Sequence, residues 1–172
     1  MIDQNAYGKE VVLPGMKMLV EDLWEGKPLE WQKRMIRQWF YMGAFSFNFD
    51  TKLISLQARS ANKKSRDHIF VPEFTGFMIA ENPDPFLYDE DLFLRIWNIS
   101  CCIVKVTSAQ NKSLSGYTNG SFIKCGAIDR YKKENIVLYH NKHGIMDLEQ
   151  AIEDFIKPPK EYFELEKKYI KS

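Results

Sequence analysis

Disulfide chemistry has little to work with in this chain. It holds three cysteines, Cys101, Cys102 and Cys125, an odd number with two of them adjacent. That excludes a disulfide framework and points to a reducing compartment. Long apolar runs are missing as well: no stretch approaches the ~20 apolar residues that a membrane-spanning helix needs. The opening residues, MIDQNAYGKEVVLPG, lack the basic start and apolar stretch of a secretory leader. The sequence therefore reads as a cytoplasmic chain with no transmembrane segment. Catalytic signatures are equally scarce. There is no Gly-x-Ser-x-Gly elbow and no Cys-x-x-Cys pair, and SGYTNGS has two glycines without the Lys-Ser/Thr that a phosphate-cradling loop requires. No Cys stands at an electropositive helix start that would lower its pKa. These absences leave no catalytic residue, no metal site and no cofactor implied by a motif.

What the chain does hold is the composition of one globular domain. Its 172 residues are 45% apolar and 27% charged, with an aromatic share of 14%, enough to bury a substantial core and leave aromatics for an interface. Positive and negative side chains nearly cancel, at net +1, but they are laid out in blocks. Residues 31–70 carry eight basic and two acidic groups, residues 71–100 one and six, and residues 101–145 seven and two. Such blocks predict a surface of both signs, able to attract an acidic partner on one side and a second copy on the other.

Periodicity predicts an α+β fold: a single domain over residues 14–157, with a central antiparallel sheet and amphipathic helices before and after it. Residues 1–13 lack periodicity and read as a mobile N-terminal arm. A short helix is expected in PGMKMLVEDLWEGKP, stopped by Gly26 and Pro28. A firmer one follows in PLEWQKRMIRQWFYMG, with Trp31, Met35, Ile36, Trp39 and Phe40 on one half and Lys33, Arg34 and Arg37 on the other. Gly43 is its expected stop. AFSFNFDTKLISLQA alternates like a strand, but its apolar parity moves from Phe45, Phe47 and Phe49 to Ile54, Leu56 and Ala58. A ladder of period two cannot change face without an extra residue, so a bulge is predicted between Asp50 and Leu53. HIFVPEFTGFMIA, interrupted by Pro72 and Gly76, reads as an edge or irregular strand.

A short helix is expected from about Asp89, and Ile99 to Val106 reads as a central buried strand. TSAQNKSLSGYTNGS is the longest polar loop, and FIKCGAIDRY with NIVLYHN reads as a hairpin around KKE. The clearest element comes last. Asp147 is its N-cap with Gln150 completing a capping box, Leu148, Ala151, Ile152, Phe155 and Ile156 form its apolar stripe, and Pro158 ends it. Residues 158–172 are expected as a docked helix or a tail.

One stretch concentrates charge. ARSANKKSRDH, residues 58–68, places Arg59, Lys63, Lys64 and Arg66 within eight positions between two apolar runs. With Lys33, Arg34 and Arg37 they form the candidate contact for phosphates of an anionic membrane or of nucleic acid, each contact adding a salt-dependent increment. No aromatics are interleaved in that loop, which points to backbone or headgroup contact rather than base readout. The plainer reading is a solvated guard on a sheet edge. The acidic counterpart, Glu81, Asp84, Asp89, Glu90 and Asp91, is the candidate surface for self-association or a basic partner. It lacks the order of a calcium loop, and first-turn acids also suit a helix N-terminus. Asp67 and His68 form an Asp-His pair at a strand start, which resembles nucleases of the histidine–asparagine–histidine type, although no second His follows Asn82. His140 and His143 with Cys125 offer at most three zinc ligands, and Cys101 and Cys102 read as core.

FSFNFDTKLISLQARS, an aromatic-rich strand running into basic residues, and the late segment AIDRYKKENIVLYHN resemble matrix proteins of rhabdoviruses, particularly the short ones of plant-infecting members. The two segments cover under a fifth of the chain. The resemblance implies a self-associating structural protein that condenses a nucleocapsid and touches the inner membrane face, in the host cytoplasm and the virion. The chain departs from that pattern in its net charge of +1 and in PPKEY, one residue too long for a Pro-Pro-x-Tyr motif. No functional residue is carried over. Three classes therefore stand. The first is a non-enzymatic structural or adaptor protein that forms a homo-oligomer. The second is a small nucleic-acid-binding protein or metal-dependent nuclease using Asp67 and His68. The third is a phage or bacterial inhibitor or immunity protein that binds a basic partner through the acidic segment.

Overall fold

The computed structural model describes residues 3–21, 28–119 and 122–170. Two short helices, α1 (Gln4–Tyr7) and α2 (Leu13–Val20), are joined by a π-helical turn over Gly8–Val12. The chain continues through α3 (Glu30–Phe47), β1 (Phe49–Ser55), α4 (Leu56–Arg59), β2 (Ser65–His68), α5 (Pro72–Glu81), α6 (Asp84–Leu87), α7 (Glu90–Cys101) and β3 (Cys102–Val106). It then forms α8 (Ser108–Ser115), a small ribbon of β4 (Thr118–Asn119) and β5 (Phe122–Ile123), α9 (Ala127–Lys133), β6 (Leu138–His140), β7 (Gly144–Met146), α10 (Leu148–Phe155) and α11 (Lys160–Glu166). The five-stranded sheet has the order β2-β3-β1-β6-β7. The fold is the expected α+β domain with helices before and after the sheet. The sheet is mixed rather than purely antiparallel, because β1 and β3 run parallel while the other three pairings are antiparallel. No helix among the described residues is long and apolar enough to cross a membrane.

Residues 4–12, expected to belong to a mobile arm, are helical and docked. Asp3 caps α1 by accepting from the amides of Asn5 and Ala6 at 2.9 and 3.1 Å. Trp97, fully buried in α7, donates its indole N–H to the Gln4 carbonyl at 3.0 Å. A Cβ at position 8 would lie 2.7 Å from that indole, so the close approach requires Gly8. The stops expected at Gly26 and Pro28 fare differently: α2 ends at Val20, and Gly26 lies outside the described residues.

Helix α3 runs past Gly43 to Phe47. Gly43 is no cap; it faces the Trp97 ring and Val12, and a Cβ there would meet both within 3.1 Å. The left-handed cap is Asn48, at φ 38°. Phe45 and Phe47 are therefore helical, which corrects their reading as strand residues. The bulge nevertheless falls where the parity change puts it. Lys52 adopts φ 65°, the Asp50 carboxylate accepts the Lys52 amide at 2.9 Å, and the register with β3 breaks between Asp50 and Ile54.

HIFVPEFTGFMIA is a helix over its second half, not an edge strand. Pro72 occupies the first turn of α5, where its missing N–H leaves no bond unmade. Gly76 lets α5 lie directly on α3, since a Cβ there would come within 2.9 Å of the Arg37 carbonyl oxygen. The two residues that argue against a strand are thus features of a close helix pair. The expected polar loop contains α8, started by Thr107 and Gln110, which exchange side-chain-to-amide bonds at 3.1 and 3.0 Å. The expected hairpin around KKE is also corrected. AIDRYKK is helix α9, and the hairpin is β6–β7, turning through residues 141–143 with Gly144 at φ 77°. Helix α10 begins at the expected cap, with Asp147 accepting at 2.9 and 3.2 Å, although Gln150 bonds Asp154 instead of closing a box. Helix α11 is docked through Tyr162, Leu165 and Glu166.

Candidate functional site

Residues paired across strands share a face of the sheet, so the register fixes what each face carries. One row crosses all five strands: Arg66 on β2 pairs with Lys105 on β3, Lys105 with Ile54 on β1, Ile54 with Tyr139 on β6, and Tyr139 with Ile145 on β7. A second row on this face is His68, Ile103 and Asp50. Residues of the other face, Leu53, Val104, Val106 and Leu138, are fully buried in the main core. Ile54, Tyr139 and Ile145 do not join that core, and Ile145 is 64% exposed. The sheet has one covered face and one that is open along the row from Arg66 to Ile145 but closed at the second row, where Ile103 is 2% exposed and His68 packs against Phe45 and the Ser100 carbonyl.

The open face is aromatic and basic. Arg59, at the end of α4, sits over the Tyr139 ring, its guanidinium carbon 3.7 Å from the ring centroid. Lys105 reaches Asp50 at 2.7 Å. Burial pushes the Asp50 carboxyl up, but the bonds from Lys105 and from the Lys52 amide outweigh it and hold its pKa below the ordinary value. Lys63 and Lys64 are exposed on the connection between α4 and β2, beside the end of the sheet where Arg66 stands. Arg59, Lys63, Lys64 and Arg66 form no ion pair with the described residues. The expected basic loop is thus the rim of a platform that also contains Lys105 and Tyr139.

Behind the platform lies a buried charge cluster. Asp67, one residue from Arg66, points to the covered face and bonds Arg130 at 2.8 Å and the Tyr131 hydroxyl at 2.6 Å. Arg130 is 1% exposed and also donates to the carbonyls of His68, Ile69 and Leu114. One guanidinium therefore ties β2 to α8 and α9. His68 shares hydrogens on the opposite side: its Nδ1 is 2.8 Å from the Ser100 carbonyl, which makes it the donor, and its Nε2 is buried without a partner. Burial lowers the His68 pKa below its ordinary value. Asp67 and His68 thus point to opposite faces of one strand, which separates the two groups that the nuclease reading needs at one substrate atom.

The other expected site residues are dispersed. Lys33 is 3.0 Å from Glu81, Arg37 pairs with Glu73, and Arg34 is exposed without an ion pair among the described residues. Two of the three α3 cations are therefore already paired with acids of α5. In the acidic segment, Glu81 is held by Lys33, Glu90 pairs with Lys9 at 2.7 Å, and Asp89 caps α7 by accepting the Leu92 amide at 2.9 Å. Asp84 and Asp91 are exposed. His140 stacks on Phe155 with centroids 4.5 Å apart, on the covered side of β6. Among the described residues no group of three or more His, Cys, Asp or Glu converges on a metal position. Burial pushes the Cys102 thiol up to about 12 and Cys101 higher still, the signature of inert core thiols.

Sequence reasoning misses Lys105, Ile54, Tyr139 and Ile145. The signal for Lys105 was present: it is the one charged residue in CIVKV, an otherwise apolar strand. Nothing local marks Tyr139, because its role comes from being a cross-strand neighbour of Ile54. Comparison with protein families, with curated proteins and with solved structures finds no match, so the site rests on its own chemistry.

Proposed function

We propose that this chain is a non-catalytic binding protein that takes single-stranded nucleic acid on the open face of its sheet. The observation that carries the reading is the row Arg66, Lys105, Ile54, Tyr139 and Ile145, with Arg59 over the tyrosine ring. Single strands bind broad basic surfaces on which bases stack against aromatic rings and arginine planes, while Lys and Arg at the edge take the phosphates. The Arg59–Tyr139 pair offers such a plane, and Lys63, Lys64 and Arg66 line its edge. The reading keeps the phosphate contact that the matrix-type resemblance implies and assigns it to nucleic acid rather than to lipid.

The test is fluorescence anisotropy of a short labelled single-stranded oligonucleotide against salt. Binding should weaken as salt rises, and Lys63→Ala/Lys64→Ala should reduce the slope of log affinity on log salt by about one to two. Tyr139→Ala should weaken binding by roughly tenfold at an unchanged slope, since base stacking contributes about 1–3 kcal/mol. Flotation with acidic vesicles in place of oligonucleotide binding would move the face to lipid headgroups and overturn the reading.

A further inference from the structure

The expected apolar half of α3 is not all buried. Ile36 and Phe40 enter the core at 0% exposure, but Trp31, Met35, Trp39, Met42 and Phe45 are 42–59% exposed. Their spacing, i, i+4, i+8, i+11 and i+14, draws one stripe along about 21 Å of helix. The stripe continues onto α2. A Cβ at Gly15 would lie 2.8 Å from the Trp39 indole, so that ring rests on α2. Met18 and Val11, three residues after and four before Gly15, share its face and are 71% and 37% exposed. Monomers rarely expose an apolar patch of this size and continuity.

We infer that this face is a two-fold interface between two copies of the chain, with the α3 helices antiparallel and the axis passing at Gln38. Three observations select a second copy. The first is area. Seven side chains at roughly 100 Å² each give on the order of 700 Å² per copy, so a pair would bury about 1,400 Å², within the range of specific interfaces. The second is charge. On α3, Glu30 and Arg34 stand in the i, i+4 row that ends at Gln38, so residues of both signs border the stripe. A rim of both signs can pair with itself under two-fold symmetry, whereas a helix that lies on an anionic bilayer carries Lys and Arg around its apolar face. The third is composition: Trp, Met, Phe and Arg are the residues enriched at interface centres. Gln38 is exposed at the midpoint between Trp31 and Phe45. An antiparallel pairing about it brings Trp31 of one copy onto Phe45 of the other and sets the two Gln38 amides face to face, donor to acceptor.

The experiment is sedimentation velocity of the full chain over a range of concentrations, with Gln38→Glu and Gln38→Lys made separately and then mixed. The unmodified chain should dimerise and stay dimeric in high salt, because the contact is apolar. Each variant alone should weaken the dimer by roughly tenfold or more, through like charges meeting at the axis, and the mixture should restore it. Met42→Glu, at an exposed position, should abolish the dimer while leaving the circular dichroism unchanged, with a Tm that no longer depends on protein concentration. A monomer at all concentrations overturns the proposal. So does a dimer indifferent to both Gln38 variants, or a monomer that binds vesicles of neutral phosphatidylcholine, which would make the stripe a lipid contact.

Discussion

Arg66 and Asp67 are neighbours on β2 and live in opposite worlds. Arg66 stands on the open face, exposed and unpaired among the described residues, while Asp67 is buried and held by Arg130 and Tyr131. Strand alternation alone separates them, since successive side chains point to opposite faces. A single layer of helices then decides what each charge does. On the covered side a charge must be paired and fully bonded, and it serves to fix the strand. On the open side it keeps its hydration and is available to a ligand. The buried cluster thereby positions the exposed one: with Arg130 bonded to the carbonyls of His68 and Ile69, the end of β2 is held from behind.

The largest effect should come from splitting the buried pair. Arg130→Met leaves the Asp67 carboxylate buried without its cation, and should destabilise the fold by about 3–5 kcal/mol in urea or guanidinium melts. Asp67→Leu/Arg130→Met removes both charges and should recover most of that loss. Should the double variant be as unstable as the single one, the guanidinium bonds to the three carbonyls, and not the ion pair, hold β2.

A smaller effect should come from Glu166, which among the described residues is buried without a cation bonded to it. Glu166 accepts the Ala127 amide at 2.9 Å, and burial raises its pKa from 4.5 to about 7. Between those values the folded chain keeps a proton that the unfolded chain releases. Stability should therefore fall as pH rises through about 4.5 to 7 and level off above, by up to about 3 kcal/mol. Glu166→Gln should flatten that part of the profile in melts across the window. A wild-type profile that rises with pH there would show that other carboxyls dominate.

The smallest effect is expected at the surface. Lys33 bridges Glu30 and Glu81 at 3.3 and 3.0 Å. Its own pKa is raised by the hydrogen bond it donates to the Glu81 carboxylate, with burial opposing. Lys33→Met should nonetheless change stability by under about 1 kcal/mol, because both side chains of the pair with Glu81 keep contact with solvent, which screens them. A loss comparable to that of Arg130→Met would erase the distinction between the two kinds of charge.

The chain's local signals were legible wherever one residue's neighbours in sequence are also its neighbours in space. The Asp147 cap, the stripe of α10 and the bulge between Asp50 and Leu53 follow from caps and periods of a few residues. Of the strand expected over residues 99–106, only Cys102–Val106 is β3, and residues 99–101 end α7. Proline and glycine misled at Pro72 and Gly76, because the same residues break a strand, start a helix or admit a close helix neighbour. For the site, the sequence placed Arg59, Lys63, Lys64 and Arg66 in one basic segment. It also grouped with them Lys33 and Arg37, which α5 neutralises through Glu81 and Glu73.

By itself, then, the sequence determined an α+β domain, its clearest helix, its bulge and a local excess of positive charge. Only the tertiary structure decided which face of the sheet stays open and which apolar helix face stays uncovered. Leu148, Ala151 and Ile152 on α10 and Trp31, Met35 and Trp39 on α3 have the same helical period, yet the first set is buried and the second exposed. Periodicity shows where an apolar face points. Whether another layer reaches it depends on segments far away in the chain, and that is a matter of how the layers stack.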